Sequence, residues 1–175
     1  MTKHLTNLRR EYQVTLLGRA WLELANARRQ LGLYGDALEA LDEAERCFEG
    51  EPFATKQLAR AWLSRGTVLF KVGELTAAER SLRRAINLFA AVDDLRSIAR
   101  VRMVEAGVLF ERSNFSGARE RWLSAAMTLE AAKRTLLSGD HMAECWMVRH
   151  RAQSTRVCSN LAEEGGRHLP ASEEV

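Results

Sequence analysis

The chain has 175 residues, of which 46% are hydrophobic and 28% charged, and its formal net charge is +3. These values are typical of one globular domain or one short repeat array, which buries enough surface to fold without a metal or disulfide. Three cysteines without a CxxC pair, a polar N-terminal segment and the lack of a long apolar run argue against a disulfide framework, a signal peptide and a membrane span. We therefore expect a cytoplasmic protein.

The predicted elements are all helical and form consecutive units. The first is one long helix from about Leu5 to Leu31, because apolar residues follow a single stripe at helical spacing. Pro52 marks the break to the second unit, and Asp93-Asp94 is a natural cap before the third. The predicted domain covers 1–164, with repeats at about 15–50, 55–91 and 95–135, a capping helix at about 140–162, and a disordered tail at 165–175.

Three segments starting at Trp21, Trp62 and Arg102 align at offsets of 41 and 40 residues. Small, turn and large apolar residues fall in the same columns, which predicts a helix, a turn and a second helix in each unit. Glycine in the first two turns can adopt positive φ, and Ser113-Asn114 replaces it in the third. The columns are Ala25, Gly66 and Ala106; Gly32, Gly73 and Ser113; Tyr34, Leu75 and Phe115; Ala37, Ala78 and Ala118; Leu41, Leu82 and Trp122; Ala44, Ala85 and Ala125.

The first two units share a motif of a Trp, a small residue, a Gly turn, a large apolar residue and two spaced alanines. It consists of Trp21, Leu24, Ala25, Gly32, Tyr34, Ala37 and Ala44, and again of Trp62, Gly66, Gly73, Leu75, Ala78 and Ala85. The motif resembles the tetratricopeptide repeat (TPR), in a branch with a period longer than the usual ~34 residues. The resemblance covers roughly residues 15 to 135, and the third unit departs from it with Arg102 in place of Trp.

The resemblance implies an all-α, right-handed α-solenoid that binds a peptide or helix of a partner protein in a concave groove. It also implies an adaptor in bacterial signalling or regulation, without a cofactor. The first helices of the units would line the groove. The expected groove residues are the arginine column Arg19, Arg60 and Arg100, the polar residues Asn26, Gln30, Thr67 and Lys71, and the apolar residues Leu63, Phe70, Met103 and Phe110. The alternative for the apolar residues is that they pack between helices.

The arginine column is suited to an acidic peptide, since guanidinium groups bind carboxylates in bidentate fashion. The alternative is that these positions are simply solvated. Two other functions remain open: a nucleic-acid-binding helical array, and a structural element that self-associates through the long first helix or the region of Trp146.

We find no pattern typical of catalysis or metal binding, and we predict that the chain is not an enzyme. Phosphate loops and hydrolase or protease motifs are absent from the sequence. His141 and Cys145 are one helical turn apart, but structural zinc sites usually need four ligands at other spacings. We therefore expect no metal.

Overall fold

The computed structural model describes residues 2–135, with side chains described for 12–133 except Pro52. Within this range the chain is entirely helical, which confirms the all-α prediction. The predicted capping helix, the predicted tail, Trp146, and the pair His141 and Cys145 lie outside the described residues. The helices are α1 (Thr2–Gln30), α2 (Tyr34–Phe48), α3 (Thr55–Val72), α4 (Leu75–Ala91), α5 (Leu95–Glu111) and α6 (Phe115–Thr135), with a short 3-10 helix at Pro52–Ala54 between α2 and α3.

The turn inside each unit has the same backbone geometry. Gly32 and Gly73 adopt φ of +79° and +89°, as predicted, and Ser113 adopts φ of +59° at the equivalent position. In all three turns the next residue donates its backbone N–H to the carbonyl five residues earlier, at 2.9 Å. Asn114 does not take the positive φ: its side-chain oxygen accepts from the backbone N–H of Gly117 at 3.0 Å and caps α6. The left-handed position therefore falls on serine, at a strain that glycine avoids.

The repeat columns are the core of the structure. The burial pattern of residues 61–80 recurs position by position in residues 101–120. A Cβ built on Gly66 would lie 2.7 Å from Leu82 Cδ2, so the lack of a side chain there permits α3 and α4 to approach closely. The following residues of the repeat columns are buried: Ala25, Ala106, Ala37, Ala78, Ala118, Leu41, Leu82, Trp122, Ala44, Ala85 and Ala125.

Each unit is a hairpin whose two helices pack on each other along their length, α1 on α2, α3 on α4 and α5 on α6. Short turns join them, so the two helices of a hairpin run antiparallel. The hairpins stack in chain order, because α3 also packs on α2 and α5 on α4. The first helices α1 and α3, and likewise α3 and α5, touch directly. They therefore lie side by side along one face of the stack.

Candidate protein-binding groove

A concavity of about 680 Å³ opens where α3 and α5 lie side by side. Most of its walls come from these two helices. The C-terminal part of α1 adds Arg29, and α6 adds Trp122. The residues that line it are Arg29, Leu63, Ser64, Thr67, Phe70, Lys71, Arg100, Met103, Val104, Gly107, Phe110, Glu111 and Trp122.

Two phenylalanines at equivalent positions of α3 and α5 are part of the apolar lining of this groove. Phe70 and Phe110 are both half-buried. The ring of Phe110 packs edge-on against Phe115, with 5.2 Å between centroids, and lies 6.1 Å from the ring of Trp122. A Cβ on Gly107 would come within 3.2 Å of Phe70 Cζ, so glycine leaves space for that ring. These neighbours contact one side of the rings, and both rings remain partly exposed to solvent.

Cations outnumber carboxylates around the apolar patch. Arg29, Lys71 and Arg100 line the groove together with the single carboxylate of Glu111. The ammonium group of Lys71 lies 5.8 Å from the centroid of the Phe70 ring, within the range of a cation–π contact. The hydroxyl of Thr67 is used internally, since it donates to the carbonyl oxygen of Leu63 at 2.9 Å. The groove thus offers apolar contacts inside a positively charged rim.

The structure brings together most of the predicted groove residues. Arg19, Gln30 and Arg60 are exposed but do not line the concavity, and neither does Asn26. Asn26 instead accepts a hydrogen bond from the Ser64 hydroxyl at 3.1 Å, which ties α1 to α3 beside the groove. The predicted residues that do line it are Leu63, Thr67, Phe70, Lys71, Arg100, Met103 and Phe110.

The predicted arginine column therefore reaches this groove only through Arg100. Arg60 shares a face of α3 with Ser64 and Lys71, but it lies about one turn before the groove begins. Arg19 is likewise far from the end of α1 that reaches the groove. The other cations of the groove are Lys71 and Arg29.

Sequence reasoning did not assign Arg29, Ser64, Val104 or Trp122 to the groove. Gly107 and Glu111 fall in the same repeat columns as the predicted groove residues Thr67 and Lys71. The repeat register contained a signal for Arg29, which is the equivalent of Phe70 and Phe110 in the first unit. The register gave no signal for Trp122, because the equivalent residues of the other two units, Leu41 and Leu82, are buried leucines.

A second concavity, of about 530 Å³, lies on the α3–α4 hairpin. It is lined by four arginines and no carboxylate, and Arg84 lies over the Trp62 ring at 4.5 Å from the centroid. In the first unit the positions equivalent to three of these arginines are acidic. The four arginines are Arg65, Arg80, Arg83 and Arg84, and the acidic equivalents of the last three are Glu39, Asp42 and Glu43.

Within the described residues, no group of three or more His, Cys, Asp or Glu side chains could hold a metal ion. Among the helices of residues 2–135, none combines the length and apolar character needed to cross a bilayer. No family model and no curated protein matches the chain.

Proposed function

We propose that this protein is a TPR-like right-handed α-solenoid that acts as an adaptor and binds a peptide or short helix of a partner protein. The binding site is the groove between α3 and α5. The observation that carries the proposal is the combination of the two half-buried rings, Phe70 and Phe110, with three cations around them in one concavity. The role in bacterial signalling or regulation rests on the resemblance of the repeats. The cytoplasmic location rests on the cysteine pattern, the polar N-terminal segment and the lack of a long apolar run.

The size and chemistry of the groove favour a peptide with an apolar anchor and flanking acidic residues. A volume of about 680 Å³ is in the range of ligand sites, roughly 300–1,000 Å³. A few anchor residues in well-packed pockets carry most of the affinity of a protein interface, and aromatic side chains are common among them. Arg29, Lys71 and Arg100 would select carboxylates near the anchor, since complementary charges at the rim steer association and exclude like-charged partners.

A nucleic-acid-binding array is the second candidate, and one observation favours it. The second concavity gathers four arginines around Trp62 without a lining carboxylate. Arginine forks bind phosphate in bidentate fashion. Arg84 already covers the Trp62 ring, which leaves less of it for a base to stack on. The groove between α3 and α5 is therefore the better-supported site.

The test compares two charge reversals of equal size on different faces. Lys71→Glu with Arg100→Glu changes the groove, and Arg80→Glu with Arg84→Glu changes the second concavity. Proteins captured by wild type from host lysate are identified, and synthetic peptides tiling each one are titrated by fluorescence anisotropy. A labelled single-stranded oligonucleotide is titrated in parallel, and thermal melting shows that each variant is folded.

We expect an acidic peptide with an apolar anchor to bind wild type and the second-concavity variant alike. The groove variant should bind it at least about tenfold more weakly, and Phe70→Ala should also weaken it. The groove assignment is refuted if peptide binding is lost in the second-concavity variant and kept in the groove variant. Oligonucleotide binding that falls steeply with salt, and is lost only in the second-concavity variant, would establish the nucleic-acid alternative.

A further inference from the structure

The first helix presents an exposed apolar stripe on the side that faces away from its own hairpin. Leu17, Leu24 and Leu31 are 53%, 38% and 75% exposed, and Ala20 and Ala27 between them are also exposed. The five residues alternate leucine and alanine at steps of three and four. This spacing is that of a coiled-coil seam and is narrower than the apolar face of an ordinary surface helix.

The repeat register shows what this stripe does in the other units. The equivalent residues of α3 and α5 face the preceding hairpin, and half of the ten are buried. In α3, for example, Ala61 and Val68 are inaccessible to solvent where α3 packs on the first unit. In α1 no preceding hairpin is present among the described residues. The equivalents are Leu58, Ala61, Arg65, Val68 and Val72 in α3, and Ile98, Val101, Glu105, Val108 and Arg112 in α5.

Two positions distinguish the stripe of α1 from those of the later units. Where α1 has Leu24, α3 has Arg65, which forms ion pairs with Asp42 and Glu45 of α2. Where α1 has Leu31, α5 has Arg112, which pairs with an acidic residue of α4. The later units thus use charged residues to dock on the polar second helix of their predecessor. The uninterrupted seam of α1 matches another apolar seam better than it matches such a helix.

We propose that two copies of the chain pair through α1, antiparallel and related by a two-fold axis. In this register Leu17 packs on the partner's Ala27, and Leu24 packs on the partner's Ala20. The two-fold repeats both contacts, so the four layers between residues 17 and 27 each set a leucine against an alanine, and Leu31 lies opposite the partner's Gln13. The stripe is therefore complementary to itself, as an isologous interface requires.

The geometry indicates a modest affinity. The stripe from Leu17 to Leu31 is about 21 Å long at the rise of an α-helix. One helix pair of this length buries less surface than a standard stable interface of roughly 1,600 Å². The dimer is consequently expected to form in the micromolar range, where sedimentation equilibrium measures it directly.

A residue exchange tests both the surface and the register. Ala20→Leu sets leucine against leucine in two symmetry-related layers, and Leu24→Ala sets alanine against alanine there. The double variant Ala20→Leu/Leu24→Ala restores one leucine and one alanine in each of those layers. Sedimentation equilibrium is run on wild type, both single variants, the double variant and Phe53→Ala, an 88% exposed apolar residue outside the stripe. Circular dichroism melts confirm that each variant is folded.

Each single variant should raise the dimer dissociation constant at least about tenfold, through overpacking or a void. The double variant should return to within about threefold of wild type, and Phe53→Ala should match wild type. A wild type that stays monomeric at the highest concentration overturns the proposal, as do single variants that dimerise normally. A double variant weaker than both singles overturns the register. These outcomes do not depend on peptide binding in the groove, which lies on another face.

Discussion

The spacing between helices is decided at residues that lack a side chain. Gly18 of α1 lies under Phe48, where a Cβ would come within 2.6 Å of the ring, and Gly66 of α3 lies under Leu82 at 2.7 Å. The residues equivalent to Gly66 in the other units are alanines, so the α3–α4 hairpin has the least space at this column. Not every glycine has such a role, since a Cβ on Gly35 would meet nothing within 4 Å.

We expect Gly66→Ala to destabilise the fold by about 1–3 kcal/mol, because the new methyl group overlaps Leu82. Leu82 is fully buried, so it has little freedom to move. The loss should exceed the ~1 kcal/mol that alanine contributes by its higher helix propensity. Urea denaturation measures the change, with Gly35→Ala as the control that should be neutral or slightly stabilising. A Gly66→Ala variant as stable as wild type would mean that the hairpin opens without cost.

At the scale of the elements, polar contacts join one hairpin to the next. Arg65 of α3 donates from Nε to Glu45 Oε1 of α2 at 2.8 Å and also pairs with Asp42. Glu45 is only 7% exposed. Burial raises the pKa of its carboxyl group, and the hydrogen bond and charge of Arg65 act in the opposite direction. Arg65 therefore compensates a carboxylate that the packing of α2 on α3 has buried.

Removing this arginine should cost about 3 kcal/mol at neutral pH, because Arg65→Ala leaves a buried charge without a partner. The folded-state pKa of Glu45 is raised, so protonation favours the folded chain. The contribution of Glu45 to the free energy of unfolding is therefore most favourable below its unfolded-state pKa, and it declines as the pH rises through its folded-state pKa. In Arg65→Ala the pKa of Glu45 rises further. The difference in free energy of unfolding between wild type and this variant should therefore shrink on acidification.

Denaturant titrations at pH 7 and pH 4 check this prediction. The matched control is Arg46→Ala, whose pair with Glu43 is exposed and should contribute less than about 1 kcal/mol at either pH. Equal losses for Arg65→Ala and Arg46→Ala, or a deficit that does not change with pH, would contradict the role assigned to Arg65.

On the largest scale, residues 2–135 form a stack of three hairpins, and the middle hairpin packs against one hairpin on each side. Its core includes Phe89 of α4, packed in one cluster with Val101 and Val108 of α5. The third hairpin has a core of its own around Leu129 of α6. Stability in such an array is expected to be a sum of hairpin terms and nearest-neighbour interface terms.

Shortening a buried side chain in the middle hairpin should therefore destabilise all three hairpins of the described stack. Shortening one in an end hairpin should mainly destabilise that hairpin. We expect Phe89→Ala to cost about 3–5 kcal/mol and to lower amide protection in all three hairpins. Leu129→Ala should lower protection mainly in α5 and α6 and leave α1 and α2 closer to wild type. Hydrogen exchange with mass spectrometry measures both patterns. An equal loss of amide protection in all three hairpins in both variants would show that they unfold as one cooperative unit and not as a stack of coupled hairpins.

Features that depend on residues close together along the chain could be predicted before the structure was known. Helical spacing predicted the six helices, glycine at the two turns predicted positive φ, and the 40- and 41-residue offsets predicted the buried columns. The third turn was predicted less well, because either Ser113 or Asn114 satisfies the local pattern and only the capping contact to Gly117 separates their roles.

Which side chains converge depends on how the helices pack against one another in three dimensions. Arg29 and Trp122 reach the groove from α1 and α6, whereas Arg19 and Arg60 share the predicted column and remain outside it. The repeat register specifies the face of a helix, but the position of a groove along that face depends on how neighbouring helices cross. The exposure of the α1 stripe is decided in the same way, since only the stacking of hairpins shows which equivalent face has no neighbour among residues 2–135.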